Sequence, residues 1–375
     1  MKIWIDGYEA NVPNRVGSGQ YAFELLRNLE IIDHKNEYLI LLPSAPLSDL
    51  PKTREGWKYK VLKPKRFWTR IALPLALFTR QKPDLFFSPT HYIPRFSPVK
   101  VVVSIFDLAY FHFPEFFKKS DLYKLSNWTK YSIENAAAII TISKSTKKDL
   151  IKFYKLKADK ITVTYPGFKS GVYHPLKDKK EIGKITKKYK IGDSYIIYIG
   201  TIQPRKNLAR LIEAFARVAR NVGDLNLVIV GKTTGVGRQG WMFEDILSLP
   251  KKLEIEDRVI FTGFVPDEDL NFLLNGAEAF ILPSLYEGFG IPVVDSMAAG
   301  VPVVISNIAS LKEAAGKAAL LVDPYSVDQI EQAIRTITID KSLRQKYSKL
   351  GLSQAKKFSW KKMAKETLKV FEKVA

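Results

Sequence analysis

The chain of 375 residues contains no cysteine. That excludes disulfides and thiolate metal sites and leaves a reducing compartment open. Long apolar runs are also missing. The best candidate for membrane insertion, residues 71–78, is short and has a proline inside, whereas a span needs about 20 residues. The opening stretch, MKIWIDGYEA, turns polar early and reads as a first strand rather than a signal peptide. Acidic residues are outnumbered: 38 Asp and Glu stand against 59 Lys and Arg, a net charge of +21. The excess is +13 over residues 1–170 and +8 over residues 171–375, so the first part is the more basic. Such charge suits nucleic acid or an anionic membrane surface, and equally a solvated lysine-rich exterior.

What remains is ample for two cores. The hydrophobic fraction is 46%, and the length predicts two domains. Their strands alternate with helices, which points to doubly wound α/β domains. Residues 283–306, PSLYEGFGIPVVDSMAAGVPVVIS, organise the second. An apolar run, Ala279–Leu282, leads into a loop holding Glu287, Gly288, Phe289 and Gly290. Ile291 then opens a helix with Pro292 in its first turn, where the missing N–H costs nothing. Gly300 closes that helix, and residues 301–305 read as the next buried strand. A helix start offers unpaired N–H groups and partial positive charge, which suits an anion. Glu287 lies just before the helix and Asp295 about one turn inside it, so the two carboxylates can border one ligand on either side of that anion. Carboxylates repel phosphate but accept hydrogen bonds from hydroxyls. A ligand anionic in the middle and hydroxylated at both ends is a nucleotide diphosphate sugar.

The EGFG-P stretch with a second acid in register resembles the signature of the retaining glycosyltransferases of family four, which have the GT-B architecture. The signature is glutamate, seven residues, glutamate; here Asp295 supplies the second acid, one methylene shorter. The resemblance extends over most of the chain and implies an α/β fold of two Rossmann-like doubly wound domains facing across a cleft. We place the N-terminal, acceptor-side domain at residues 1–170 and the nucleotide-sugar domain at residues 171–357. The end of the chain, residues 358–375, reads as an amphipathic helix; the resemblance implies that it packs back on the first domain, while its apolar stripe would equally pack on the second. The charged residues 169–193 read as the linker.

Several other stretches fit this frame. Residues 11–20 form a loop with Gly17 and Gly19 between a strand and a helix. Such a loop is either a structural turn or a phosphate approach, and the resemblance implies that it faces the donor diphosphate or the acceptor. Residues 99–105 read as a buried strand with Phe106 and Asp107 at its carboxyl end, where ligands gather in such sheets. Relatives often carry a histidine where Phe106 stands, so the sugar must be held differently there. Arg205 and Lys206 are placed at a helix start after the strand Tyr195–Ile199 and resemble the family's diphosphate clamp; a further arginine common in relatives is Thr201 here. The corner at residues 263–266, including Val265, matches the one that receives the nucleobase through backbone contacts. Residues 232–240, KTTGVGRQG, lack the spacing of a dinucleotide fingerprint. Asp267, Glu268 and Asp269 spell a DxD, a metal-binding pattern in other glycosyltransferases, but acids in a first helical turn also complement the helix dipole. Residues 63–82 read either as a core helix with basic flanks or as a segment on a membrane interface. The aromatic residues 110–128 suit an acceptor path, a lipid contact or packing beneath a loop. Residues 135–142 read as a further strand.

The resemblance implies a hexosyltransferase that moves mannose or glucose, with retention and without a metal, from a GDP- or UDP-sugar to a glycan or lipid-linked acceptor. It needs no other cofactor and is expected in the cytoplasm or at the inner membrane face, as in polysaccharide synthesis. Glu287, Arg205 and Lys206 are its expected catalytic groups. Gly17, Gly19, Asp107, Val265, Gly288, Phe289, Gly290, Ile291 and Asp295 are expected at the donor. A catalytically impaired relative and a basic nucleic-acid-binding protein are the alternatives. A nicotinamide oxidoreductase would need a full glycine fingerprint, which is missing.

Overall fold

The computed structural model describes residues 1–231 and 243–375, so the glycine-rich stretch at residues 232–240 lies outside the described residues. The chain divides into two compact units, residues 1–167 with 359–375, and residues 168–358.

The first unit is built on a parallel sheet. Its strands are β1 (Lys2–Asp6), β2 (Glu37–Leu42), β3 (Trp57–Val61), β4 (Leu85–Ser88), β5 (Lys100–Ile105), β6 (Ala138–Thr141) and β7 (Ile161–Val163), in the order β3-β2-β1-β4-β5-β6-β7. β1, β4 and β5 are buried along nearly their whole length. They show no polar–apolar alternation, because helices cover both faces of a parallel sheet. The strand order reverses between β1 and β4, which sets a crevice at their carboxyl ends. The helix Trp360–Val374 belongs to this unit. It packs against the helix Ser18–Ile32 and buries Trp360, Met363, Val370 and Phe371. Each such large side chain contributes about 1.5–3 kcal/mol of burial. Its approach requires Gly167, where a Cβ would lie 2.1 Å from the Trp360 nitrogen.

The second unit carries β8 (Tyr195–Ile199), β9 (Asn226–Val230), β10 (Val259–Gly263), β11 (Ala279–Leu282), β12 (Val303–Ser306) and β13 (Ala319–Val322), ordered β10-β9-β8-β11-β12-β13 and parallel throughout. Here the order reverses between β8 and β11.

Some local expectations need correction. The charged stretch read as a linker contains a helix, Lys179–Lys188, because Asp178 caps it by accepting from the Lys180 and Glu181 nitrogens. Residues 135–137 are not strand: the helix Lys119–Asn135 runs to its last carbonyls before β6 starts at Ala138. The aromatics in residues 110–128 pack largely on one another and their neighbours. Phe111 stacks on Phe153 with centroids 4.6 Å apart, Phe113 stacks on Phe116 at 5.3 Å, and the Tyr110 and Tyr154 hydroxyls share a hydrogen bond of 2.7 Å. Residues 63–82 form a π-helical turn, Trp68–Ala72, continuing into the helix Leu73–Leu77. Trp68, Ala72, Leu73, Ala76 and Leu77 are buried.

Candidate active site

The strand order of the second unit brings its charged residues together. β8 and β11 are neighbours, so the loops leaving their carboxyl ends lie side by side although about eighty positions separate them. The first loop holds Arg205 and Lys206 in a 3-10 turn, Pro204–Lys206. This differs from the expected helix start: the α-helix begins only at Leu208. The reason is Asn207, which takes a left-handed conformation with φ 62°. Its buried amide donates to the Pro283 carbonyl at 2.9 Å and the Pro324 carbonyl at 2.6 Å. The Leu285 N–H in turn donates to the Arg205 carbonyl at 2.9 Å. Asn207 therefore ties the two loops into one piece, and the dipeptide after it, an ordinary helix opening, gives no sign of that role.

Glu287 sits at the centre of this piece and is only 7% exposed. Its Oε1 accepts from Lys206 Nζ in a short ion pair and from Ser284 Oγ at 2.8 Å. Its Oε2 lies 3.4 Å from the Arg205 guanidinium, which also donates to the Tyr286 carbonyl at 3.1 Å. Burial alone would raise the Glu287 pKa. The charges of Lys206 and Arg205, with the Lys206 and Ser284 hydrogen bonds, outweigh burial and hold it below the ordinary carboxylate value. The carboxylate is therefore ionised at neutral pH and carries two cations beside it. Tyr198, at the end of β8, is pushed well above its ordinary pKa by burial and by the Glu287 charge, against Arg205. Its neutral hydroxyl donates to the Thr201 carbonyl at 3.2 Å.

The glycine loop then turns into the helix Ile291–Ala298. Gly290 has φ 99°, and a Cβ there would meet Leu311 at 2.6 Å, so the turn admits glycine alone. Gly288 and Phe289 are buried, and the Phe289 ring packs edge-on against Phe358 at 5.3 Å. What Phe289 can offer a ligand is therefore its backbone. Ile291 and Asp295 are half-buried on the helix. The Asp295 charge raises the pKa of Tyr173, second to burial, which places that carboxylate near the Tyr173 phenol. Val265 is buried after β10, two strands from β8.

The acids of the DxD stretch are engaged separately. Asp267 is paired with Lys169 and accepts from Tyr173 at 2.8 Å. Asp269 accepts from Lys188 at 2.6 Å and Tyr189 at 2.7 Å. Among the described residues no group of acids and histidines has metal-binding geometry.

Gly17, Gly19 and Asp107 belong to the first unit. The helix starts earlier than expected, at Ser18, so of the two expected loop glycines only Gly17 precedes it, with φ 53°; Gly19 lies inside the helix, where a Cβ would press on the Glu9 carbonyl at 3.0 Å. Asp107 accepts from the Ala109 N–H at 3.0 Å. Beside it, Phe106 packs on Tyr21 with centroids 4.9 Å apart, and its N–H donates to His91 Nε2 at 2.9 Å. An imidazole thus lies against Phe106 after all, delivered from the loop after β4. The only sequence sign of it is a histidine just beyond a strand that must neighbour β5.

Residues 16–170 match the sequence model described as Glycosyltransferase Family 4, and residues 179–354 match that of Glycosyl transferases group 1. The chain is a family 4, group 1 glycosyltransferase. Such an enzyme falls in the hexosyltransferase class. The glycosyltransferase is 28% identical over 372 residues to the O-antigen chain mannosyltransferase B of Escherichia coli, covering 95% of this chain and 96% of the relative. Among solved structures, its fold matches a sucrose-phosphate synthase from Thermosynechococcus elongatus with a TM-score of 0.80 and 17% identity, over 100% of this chain and 98% of the other. It also matches Anabaena HepE in complex with UDP and glucose, with a TM-score of 0.77 and 18% identity over 99% of both chains. These similarities identify the GT-B fold of two α/β domains.

Proposed function

We propose that this glycosyltransferase moves a hexose from a nucleoside diphosphate sugar to a glycan or lipid-linked acceptor, with retention and without a metal. The carrying observation is the Arg205–Lys206–Glu287 cluster beside the glycine-preceded start of the Ile291–Ala298 helix. When the anomeric C–O bond breaks, the electron pair leaves with the diphosphate and positive charge develops on the sugar. Arg205, Lys206 and the N–H groups around Gly288, Gly290 and Ile291 meet the leaving charge, so the side chains and backbone supply what a metal supplies elsewhere. Glu287 holds the two cations in place and accepts from donor sugar hydroxyls through Oε2, which carries the longer contact. Asp295 accepts from the ribose, and the backbone around Val265 receives the base. The acceptor oxygen attacks from the side the diphosphate leaves, and the departing phosphate oxygen takes the acceptor proton.

The sugar we favour is mannose, because the E. coli relative is a mannosyltransferase of O-antigen chains. The donor base is guanine or uracil; the HepE complex holds UDP. Work on such acceptors puts the enzyme on the cytoplasmic side, in peripheral contact with an anionic membrane. The test is a thermal-shift panel of UDP, GDP and ADP in the presence of a chelator, followed by hydrolysis of the matching sugar donor. One nucleotide should raise the melting temperature, and Glu287→Ala should abolish turnover. Full turnover in that variant, or stabilisation that vanishes with chelator, overturns the reading.

A further inference from the structure

We propose that residues 67–78 together with Phe96 form a docking face for an anionic phospholipid bilayer. This rests on the peripheral membrane contact proposed above and names the surface that makes it. Residues 67–78 bury one side and expose the other. Phe67, Ile71, Leu75 and Phe78 recur at helical spacing and are 51%, 40%, 65% and 59% exposed. Phe96 is 75% exposed. Phe67 and Phe96 have φ of 60° and 57°, left-handed conformations that are unusual for bulky side chains, and both hold a ring outward. Among the described residues no helix is long and apolar enough to cross a membrane; a face of this kind enters the interface from one side.

The charge around this face selects the partner. Residues 63–82 contain Lys63, Lys65, Arg66, Arg70, Arg80 and Lys82 and no acidic residue, and all six cations are exposed. Arg70 and Arg95, the residue before Phe96, line one shallow groove with Trp128 and Tyr131. The Arg70 guanidinium lies over the Trp128 ring at 4.2 Å, and that of Arg95 over Tyr131 at 5.1 Å. Stacking fixes each guanidinium while its N–H groups stay available to phosphate oxygens. Apolar side chains in the middle, cations around them and two oriented arginines complement a layer of anionic headgroups over acyl chains. A nucleic acid would want the cations without exposed aliphatic side chains at the centre.

The experiment is co-sedimentation of the full chain with phosphatidylcholine vesicles, with and without phosphatidylglycerol, over a salt series. The wild type should bind vesicles containing phosphatidylglycerol and not pure phosphatidylcholine. Leu75→Asp with Phe78→Asp should weaken binding by at least about tenfold, and Arg70→Gln with Arg95→Gln by about tenfold with a shallower salt dependence. Leu75→Ser with Phe78→Ser replaces the first pair if its thermal melt is lost. Absent binding to phosphatidylglycerol vesicles, or binding that survives all these changes, overturns the proposal; in the second case the general charge of +21 is the cause. Donor hydrolysis in vesicle-free solution is read in parallel. Normal hydrolysis without vesicle binding refutes this docking face alone, whereas vesicle binding without nucleotide recognition refutes the sugar-transfer reading alone.

Discussion

Replacing Glu287 by glutamine removes one charge from a buried group of three and takes from Lys206 and Arg205 the carboxylate they pair with. Breaking a buried pair from one side typically costs about 3–5 kcal/mol. Two features place this case near the lower end. The Lys206 and Arg205 side chains keep 12% and 19% of their exposure and can regain some water, and the Arg205 contact is long at 3.4 Å. We expect Glu287→Gln to lose about 3 kcal/mol in urea unfolding at neutral pH. The pH dependence follows from the depressed pKa of Glu287. Its stabilisation is fully present above the unfolded value of about 4.3 and is lost as pH falls through the lower folded value. The gap between wild type and variant should therefore close in acid. A nucleoside diphosphate supplies the missing negative charge, so the variant should gain more melting temperature from saturating UDP or GDP than the wild type gains, while losing turnover. Equal stability of the two proteins at neutral pH, or a gap that stays constant into acid, refutes the reasoning about the cluster.

Two further perturbations test other parts of the architecture. Asp6 ends β1 as a buried carboxylate that accepts from Trp68 Nε1 and the Tyr8 N–H, each within 3.0 Å. Burial nonetheless raises its pKa from 3.8 to about 6. Because the folded value is the higher one, stability is lost as pH rises through it; Asp6→Asn should gain on the wild type by roughly 2 kcal/mol between pH 4 and pH 7 in urea unfolding. Asn207→Ala removes the donors to two carbonyls and places alanine in the left-handed region. It should cost about 2–4 kcal/mol in the same measurement and weaken the nucleotide-induced thermal shift, since the β8 and β11 loops are no longer tied.

The two sheets were readable in the sequence because parallel strands buried on both faces are short apolar runs ending in loops, as Tyr195–Ile199 and Ala279–Leu282 are. The family of the chain was readable in EGFG-P. What no local pattern carries is the meeting of distant loops. The Glu287 ion pairs depend on β8 lying beside β11, and His91 reaches Phe106 because β4 lies beside β5. Asn207 looked like a residue inside a helix opening, and its left-handed turn is imposed by carbonyls from two other loops. The outward side of residues 67–78 posed the opposite difficulty: its apolar spacing is the same whether the residues face a core or the exterior, and only the packing of Trp68 and Leu73 decides which side goes in.

The return of residues 359–375 to the first unit sets the order in which the protein can mature during synthesis. The N-terminal half leaves the ribosome with a vacancy beside its opening helix, and everything in the second unit must be translated before the missing piece arrives. At about 5–20 residues per second that wait lasts on the order of ten seconds or longer. During it Tyr21 and Phe87, which meet Trp360 and Phe371 in the finished protein, lack their partners, so the nascent chain is open to chaperone capture until its last helix docks.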